Sequence, residues 1–306
     1  MIKLLEKKCK FIITGATGFI GSRLCQELLA DGHHITALTR SKNKISNQKN
    51  LIYINNINDQ EFNYDVVINL AGAPISVYWT NNNRNEIYQS RIKTTRQIVE
   101  KILTAKNPPR LLISGSAIGY YGTSNKIIFN EDSSSTNQNL FSQKLCKDWE
   151  NEALKAKSKT RVILLRTGVV VGNNGGIIKK MSLPFKIGLG GFMGDGSQIM
   201  SWIHIDDVIG ILNLILNNNN LKGPFNLCAP QSCSNAEFSK ILAKKYCRPC
   251  IFHMPKIIVK TLFGEMAEEL LLASQKVNPN KAIKNNYDFK YPTISKAINS
   301  LIPSCD

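Results

Sequence analysis

Three sets of residues in this chain have types and spacings that could do chemistry. The first is a glycine run, Thr14-Gly15-Ala16-Thr17-Gly18-Phe19-Ile20-Gly21. Between a strand and a helix, such a run suits the diphosphate of a dinucleotide. Gly15 permits the tight turn, Gly18 lets the backbone approach the anion, and Gly21 lets the helix pack on the strand. Thr17, Phe19 and Ile20 complete the helix opening, whose aligned N–H groups face negative charge. The second set ends the next strand, Thr36-Ala37-Leu38-Thr39-Arg40-Ser41. An NAD site carries an acid there, about twenty residues past the glycines, to bond the ribose 2′-hydroxyl. Here there is no carboxylate, and Arg40 suits a two-pronged grip on phosphate. The expected cofactor is therefore NADP (NADPH) rather than NAD; the alternative is a solvated loop arginine. The third set is cysteine. Cys228, Cys233, Cys247 and Cys250 have a spacing that resembles a zinc site. The stretch between the pairs, from Ser234 to Tyr246, reads as an amphipathic helix with Phe238, Ile241 and Leu242 on one face. That helix would hold the pairs about 20 Å apart, so no metal is expected.

The elements that must position these groups alternate over the first two thirds of the chain. Apolar runs predict strands at Lys10 to Thr14, His34 to Thr39, Asn50 to Ile54, Asp65 to Leu70, Arg110 to Ser114 and Arg161 to Arg166. Helical spacing marks Gly18 to Ala30, about Asn82 to Ala105 and Asn139 to Lys157. Near-continuous apolar strands such as Val162-Ile163-Leu164-Leu165 suit a parallel sheet covered on both faces. The predicted class is α/β, a doubly wound parallel (Rossmann) sheet with a smaller, mostly helical C-terminal substrate domain. The pattern loosens after Gly172 and resumes as strand and helix at Trp202 to Leu216 and Pro224 to Leu227. The predicted division is 1–171 with 205–229 for the dinucleotide domain, and 172–204 with 230–306 for the smaller one.

Composition narrows the partners. Among 306 residues, 39 Lys+Arg against 22 Asp+Glu give a net charge of +17. The lysines are scattered, and no aromatic-basic interleaving accompanies them, so no specific nucleic-acid partner is expected. No stretch approaches the roughly 18 apolar residues of a membrane span. Met1 to Phe11 carries charge but no apolar export core, so a cytoplasmic location is expected.

Further motifs resemble the extended short-chain dehydrogenase/reductases. Within that superfamily the chain resembles an atypical epimerase-like family of the NAD(P)-dependent epimerase/dehydratase type. The likeness rests on Asn69-Leu-Ala-Gly-Ala-Pro74, Ser114-Gly-Ser-Ala-Ile-Gly-Tyr-Tyr-Gly122, Arg166-Thr-Gly-Val-Val170 and Trp202-Ile-His-Ile-Asp-Asp207. A C-terminal match follows at Arg248-Pro249, Gly264-Glu265 and Phe289-Lys-Tyr-Pro292.

The resemblance implies that Ala71 and Gly72 lie beside the cofactor. It also makes Ser116 the serine that hydrogen-bonds a substrate carbonyl or hydroxyl. The superfamily's proton-transfer pair is Tyr-x-x-x-Lys, and this chain departs from it, with Leu140 four residues before Lys144. Lys144 is left as a contact to the nicotinamide ribose. Tyr120 and Tyr121 are the candidate replacements for the phenol. Arg91 stands where relatives carry an asparagine, and reads as an acidic-substrate contact or a surface cap. Trp202 and His204 are expected at the cleft wall, His204 alternatively as a buried anchor.

The implied activity is an NADP-dependent oxidoreductase or epimerase acting on a hydroxyl-bearing small molecule, nucleotide sugars among the candidates; a homodimer is compatible with it. The alternative is an NADP-binding regulatory protein with little turnover.

Overall fold

The computed structural model describes residues 5, 7–39, 49–58, 61–136, 138–173 and 175–303. Arg40 lies outside them. Seven parallel strands form the main sheet: β1 (Lys10–Thr14), β2 (His34–Leu38), β3 (Leu51–Ile54), β4 (Val66–Asn69), β5 (Leu111–Ala117), β6 (Arg161–Thr167) and β7 (Gly223–Leu227). Their order is β3-β2-β1-β4-β5-β6-β7. The chain winds outward from β1 through β3, then returns to lay β4 against β1, with Phe11 opposite Val66 and Thr14 opposite Asn69. That reversal opens a crevice beyond the carboxyl ends of β1 and β4, where a doubly wound sheet takes its ligands.

Side chains alternate across the strands, and those of β1, β4, β5 and β6 are buried on both faces over most of their length. Phe11, Ile13, Val66, Ile68, Leu111 and Ile113 meet α1 (Phe19–Ala30) and α5 (Ile205–Asn217) through Leu24, Leu28, Val208 and Leu212. Ile12, Val67, Leu112 and Val162 meet α2 (Asn81–Thr104) and α3 (Phe141–Leu154) through Ile98, Ile102 and Ala153. The Thr80 hydroxyl starts α2 by accepting from the Asn83 amide at 3.2 Å.

A second core gathers Val171, Ile178, Phe185, Trp202, Phe238, Leu242, Tyr291 and Ile298. Its helices are α4 (Gly176–Lys186), α6 (Asn235–Lys245) and α9 (Ile294–Leu301). Short strand pairs brace it, Trp202–His204 lying parallel to Val169–Gly172. α7 (Lys256–Phe263) and α8 (Asn280–Lys284) complete the C-terminal part. This part is not confined to the second lobe, because Ala282 of α8 and Phe289 pack into the sheet's own core. No helix among the described residues is long and apolar enough to cross a membrane. α6 fills the interval between the two cysteine pairs, and no set of three His, Cys, Asp or Glu among the described residues could hold a metal ion.

Candidate active site

The glycine run sits at the crevice. Gly15 has φ +70°, and a Cβ there would fall 2.6 Å from the Leu70 carbonyl oxygen at the end of β4. At Gly21 a Cβ would fall 2.2 Å from the Gly15 carbonyl, so glycine alone lets α1 begin this close to the turn. Gly18 opens α1 without a side-chain cap, and no acid occupies the first turn. The N–H groups of Phe19, Ile20 and Gly21 precede the first residue able to bond back within the helix, which leaves them for an outside acceptor. Thr17 and Gly18 are exposed there, and Ile20 packs partly against the sheet core. The Phe19 ring turns away and beds on Gly172, Gly175 and Gly176, where a Gly175 Cβ would come within 2.1 Å of it. Only its amide is therefore placed for a cofactor. These amides, left without an intrahelical acceptor, and the close glycine approaches fit a dinucleotide diphosphate.

A hydrogen-bond chain that sequence reading missed fixes the crevice walls. Thr14 Oγ1 donates to Asn69 Oδ1 (2.7 Å), Asn69 Nδ2 donates to Thr95 Oγ1 (2.8 Å), and Trp149 Nε1 donates to the same hydroxyl (2.9 Å). The Ala71 amide donates to Thr14 Oγ1 at 3.1 Å. β1, β4, α2 and α3 are thus tied at the point where Ala71 and Gly72 turn over the crevice. The Arg91 guanidinium lies against Gly72, where a Cβ would stand 2.8 Å from its Cζ.

Ser116 differs from expectation. Its buried hydroxyl donates to Glu150 Oε1 at 2.6 Å rather than facing a substrate. Arg166 grips the same carboxylate, Nε to Oε1 at 2.9 Å and Nη2 to Oε2 at 2.8 Å, and donates through Nη1 to Tyr121 Oη at 3.1 Å. Tyr121 Oη donates to Asn226 Oδ1 at 2.8 Å. Burial opposes the charge on Arg166, yet its hydrogen bonds to Glu150 hold its pKa above the ordinary range. Burial pushes the Tyr121 phenol up to about 12, with Arg166 pulling the other way. Tyr121 is therefore a neutral member of a buried network. Tyr120 is half-buried, its ring stacked 3.5 Å from Arg166 Cζ and its carbonyl accepting from Gln143 Nε2.

Lys144 is exposed on α3, whose inward side in that turn carries Ser142, Gln143 and Leu145. The structure therefore does not bring the Ser116 hydroxyl and Lys144 together. Leu140 begins α3 with no capping side chain; Glu269 does that work from the C-terminal part, accepting from the Phe141 and Ser142 amides at 3.0 and 2.8 Å. A carboxylate there also suits the positive end of the helix.

The two expected wall residues are interior. Trp202 is fully buried in the second core, because its pairing with Val169 directs it inward. His204 caps α5, Nδ1 accepting from the Asp206 amide at 3.1 Å, with its ring 3.8 Å from that of Tyr291. Burial, against the pull of Asp206, lowers its pKa to about 4, so the ring is neutral near pH 7. It borders a cavity of about 470 Å³ with Arg23 and Tyr291, on the side of α1 away from the sheet.

Residues 11–228 match the model of the NAD dependent epimerase/dehydratase family, and residues 254–301 match a domain of unknown function, DUF1731. The chain belongs to the NAD-dependent epimerase/dehydratase family. This epimerase-family chain is 38% identical to the Arabidopsis thaliana protein described as an epimerase family protein SDR39U1 homolog, chloroplastic, over 97% of this chain and 88% of the relative. It is 36% identical to the epimerase family protein SERP0438 of Staphylococcus epidermidis, over 96% of this chain and 99% of that one. Its structure resembles that of human epimerase family protein SDR39U1 (isoform 2) with NADPH, at a TM-score of 0.87 and 32% identity, covering 95% of this chain and 98% of the human one. The family and the Rossmann-type fold agree with the resemblance carried by the motifs.

Proposed function

We propose that this epimerase-family protein holds NADPH in the crevice between β1 and β4, in preference to NADH, and acts as an oxidoreductase or epimerase on a hydroxyl-bearing metabolite. The observation that carries this reading is the run of free α1 amides behind Gly15 and Gly18, facing a crevice with no acid in the first turn. The NADPH of the human relative supports it, as does Arg40 in place of an acid. When bound, the nicotinamide supplies the hydride exchange at the carbon bearing the hydroxyl.

The chain's own residues do the rest. The α1 amides bind the diphosphate, and the Thr14–Asn69–Thr95 chain keeps the crevice walls at fixed spacing before ligand arrives. Tyr120 is the phenol this reading assigns to proton transfer at its Oη, since the Tyr121 hydroxyl is committed to Asn226 and Arg166. Arg166 and Glu150 are positioning residues for the Tyr120 ring. Calorimetric titration tests the cofactor assignment. NADPH should bind more tightly than NADH, and Arg40→Ala should erase most of the difference; equal affinities refute it.

A second reading, NADP binding with little turnover, is favoured by the leucine at position 140, the exposure of Lys144 and the engagement of Ser116 by Glu150. NADPH consumption with a panel of nucleotide sugars and simple ketones separates the two. Tyr120→Phe should cut any turnover by about 100-fold or more and leave NADPH affinity intact.

A further inference from the structure

Two guanidinium groups lie near the crevice, Arg166 buried and Arg91 half-buried, and their surroundings differ. Arg166 is neutralised by both oxygens of Glu150 and shielded by two tyrosine rings. Arg91 has no such partner. Its one side-chain hydrogen bond among the described residues runs from Nη1 to the Ile87 carbonyl, one helical turn back, at 3.0 Å. The acids on the facing helix are engaged elsewhere: Asp148 by Tyr88, Glu150 by Arg166 and Ser116, Glu152 by Arg96 and Lys155. Burial correspondingly pulls the Arg91 pKa below the usual arginine value.

The surroundings are built to hold this unpaired cation in place. The Trp149 ring lies 5.3 Å from Cζ, itself fixed by its bond to Thr95. Gly72 also lies against it, where a Cβ would stand 2.8 Å from Cζ, 2.9 Å from Nη2 and 3.1 Å from Nε. Glycine therefore admits the guanidinium against the backbone that turns over the crevice, two residues beyond the Leu70 carbonyl that abuts Gly15. A guanidinium carries five N–H donors in a rigid fork, and most of this fork has no protein acceptor. Drawing a charge even partly out of water without a counter-ion opposes folding unless something that binds supplies the counter-charge.

We propose that Arg91 is the receptor for an anionic oxygen group that a ligand brings into the crevice, either a phosphate of the dinucleotide or the acid group of a second, acidic molecule. The first source rests on the dinucleotide reading above; the second does not.

The test compares wild type with Arg91→Gln, Arg91→Met and the conservative Arg91→Lys. NADPH affinity is measured by calorimetry at two salt concentrations. Thermal midpoints are measured on ligand-free protein and with added inorganic phosphate, with and without NADPH. An NADPH affinity about 10-fold or more weaker in Arg91→Gln, partly restored in Arg91→Lys and less sensitive to salt, supports the proposal with the cofactor as source. Unchanged NADPH affinity, with phosphate raising the midpoint of wild type but not of Arg91→Gln, supports it with the second ligand as source. Under either source the ligand-free Arg91→Met protein should unfold no earlier than wild type, since the variant removes an uncompensated charge. NADPH affinity and phosphate response both unchanged overturns the proposal, as does a ligand-free midpoint several degrees lower in Arg91→Met with binding intact. If wild type binds no NADPH, the proposed function fails by itself, and the phosphate response of the ligand-free protein decides the role of Arg91.

Discussion

Replacing Glu150 by alanine removes the carboxylate that accepts from Ser116 and twice from Arg166. Both side chains of the ion pair are only 5% exposed, so water cannot replace the lost partner. What remains for Arg166 is the Tyr121 oxygen and the faces of two aromatic rings. Breaking one side of a buried pair costs about 3–5 kcal/mol. At about 2–4 °C per kcal/mol for a domain of some 150–250 residues, the thermal midpoint should fall by roughly 6–20 °C. Arg166→Met should cost a similar amount. The Glu150→Ala/Arg166→Met double variant should cost clearly less than the two single costs added, because the charges leave together. Urea unfolding followed by far-ultraviolet circular dichroism on the four proteins measures this. Single costs below about 1 kcal/mol, or strict additivity, would refute the claim that the pair is enclosed and mutually dependent.

Gly21→Ala should weaken NADPH binding by about 10-fold or more, because its Cβ would meet the Gly15 carbonyl at 2.2 Å and displace the turn; calorimetry showing full affinity would sink that geometry. His204 gives a pH prediction. Its folded pKa, about 4, lies below the ordinary 6.5, so the unfolded chain takes up a proton that the folded one refuses. The stability it contributes is fully present above about pH 6.5 and is lost as the pH falls toward about 4. Asp206, Lys290 and Arg23 face the ring and stay in place in His204→Asn, which retains a capping oxygen. That variant should flatten the acid limb of a stability–pH curve, and an unchanged slope would show that another group sets it.

What the sequence displayed and what it concealed follow from how far apart the cooperating residues are. The glycine run was legible because a strand, a turn and a helix lie within one short stretch, and their φ angles and close approaches are local. The α3 stretch was legible as a helix from its spacing, but its capping group was not, since Glu269 arrives from the C-terminal part. The engagement of Ser116 by Glu150 was not legible because its motif lies on β5 while its partner is on α3 and Arg166 is on β6; only the folded sheet brings the three together. Trp202 read as part of a cleft wall, yet its pairing with Val169 turns it inward, whereas His204, which also read as an anchor, caps α5. Arg91 stood out as a basic residue in place of an asparagine, but nothing local revealed that it lies against Gly72 without an acid.

The bed of glycines beneath Phe19 has a consequence for how this molecule can vary. The first residue of the dinucleotide helix doubles as a peg in a socket made by the other lobe, and the socket has no spare depth at Gly175. A methyl group gained there must be answered by a smaller ring at Phe19, or the shove reaches the amides beside it. Two stretches far apart in the chain are thus bound to drift as one, and grafting either lobe alone from a relative with a different peg should yield a misfitted joint.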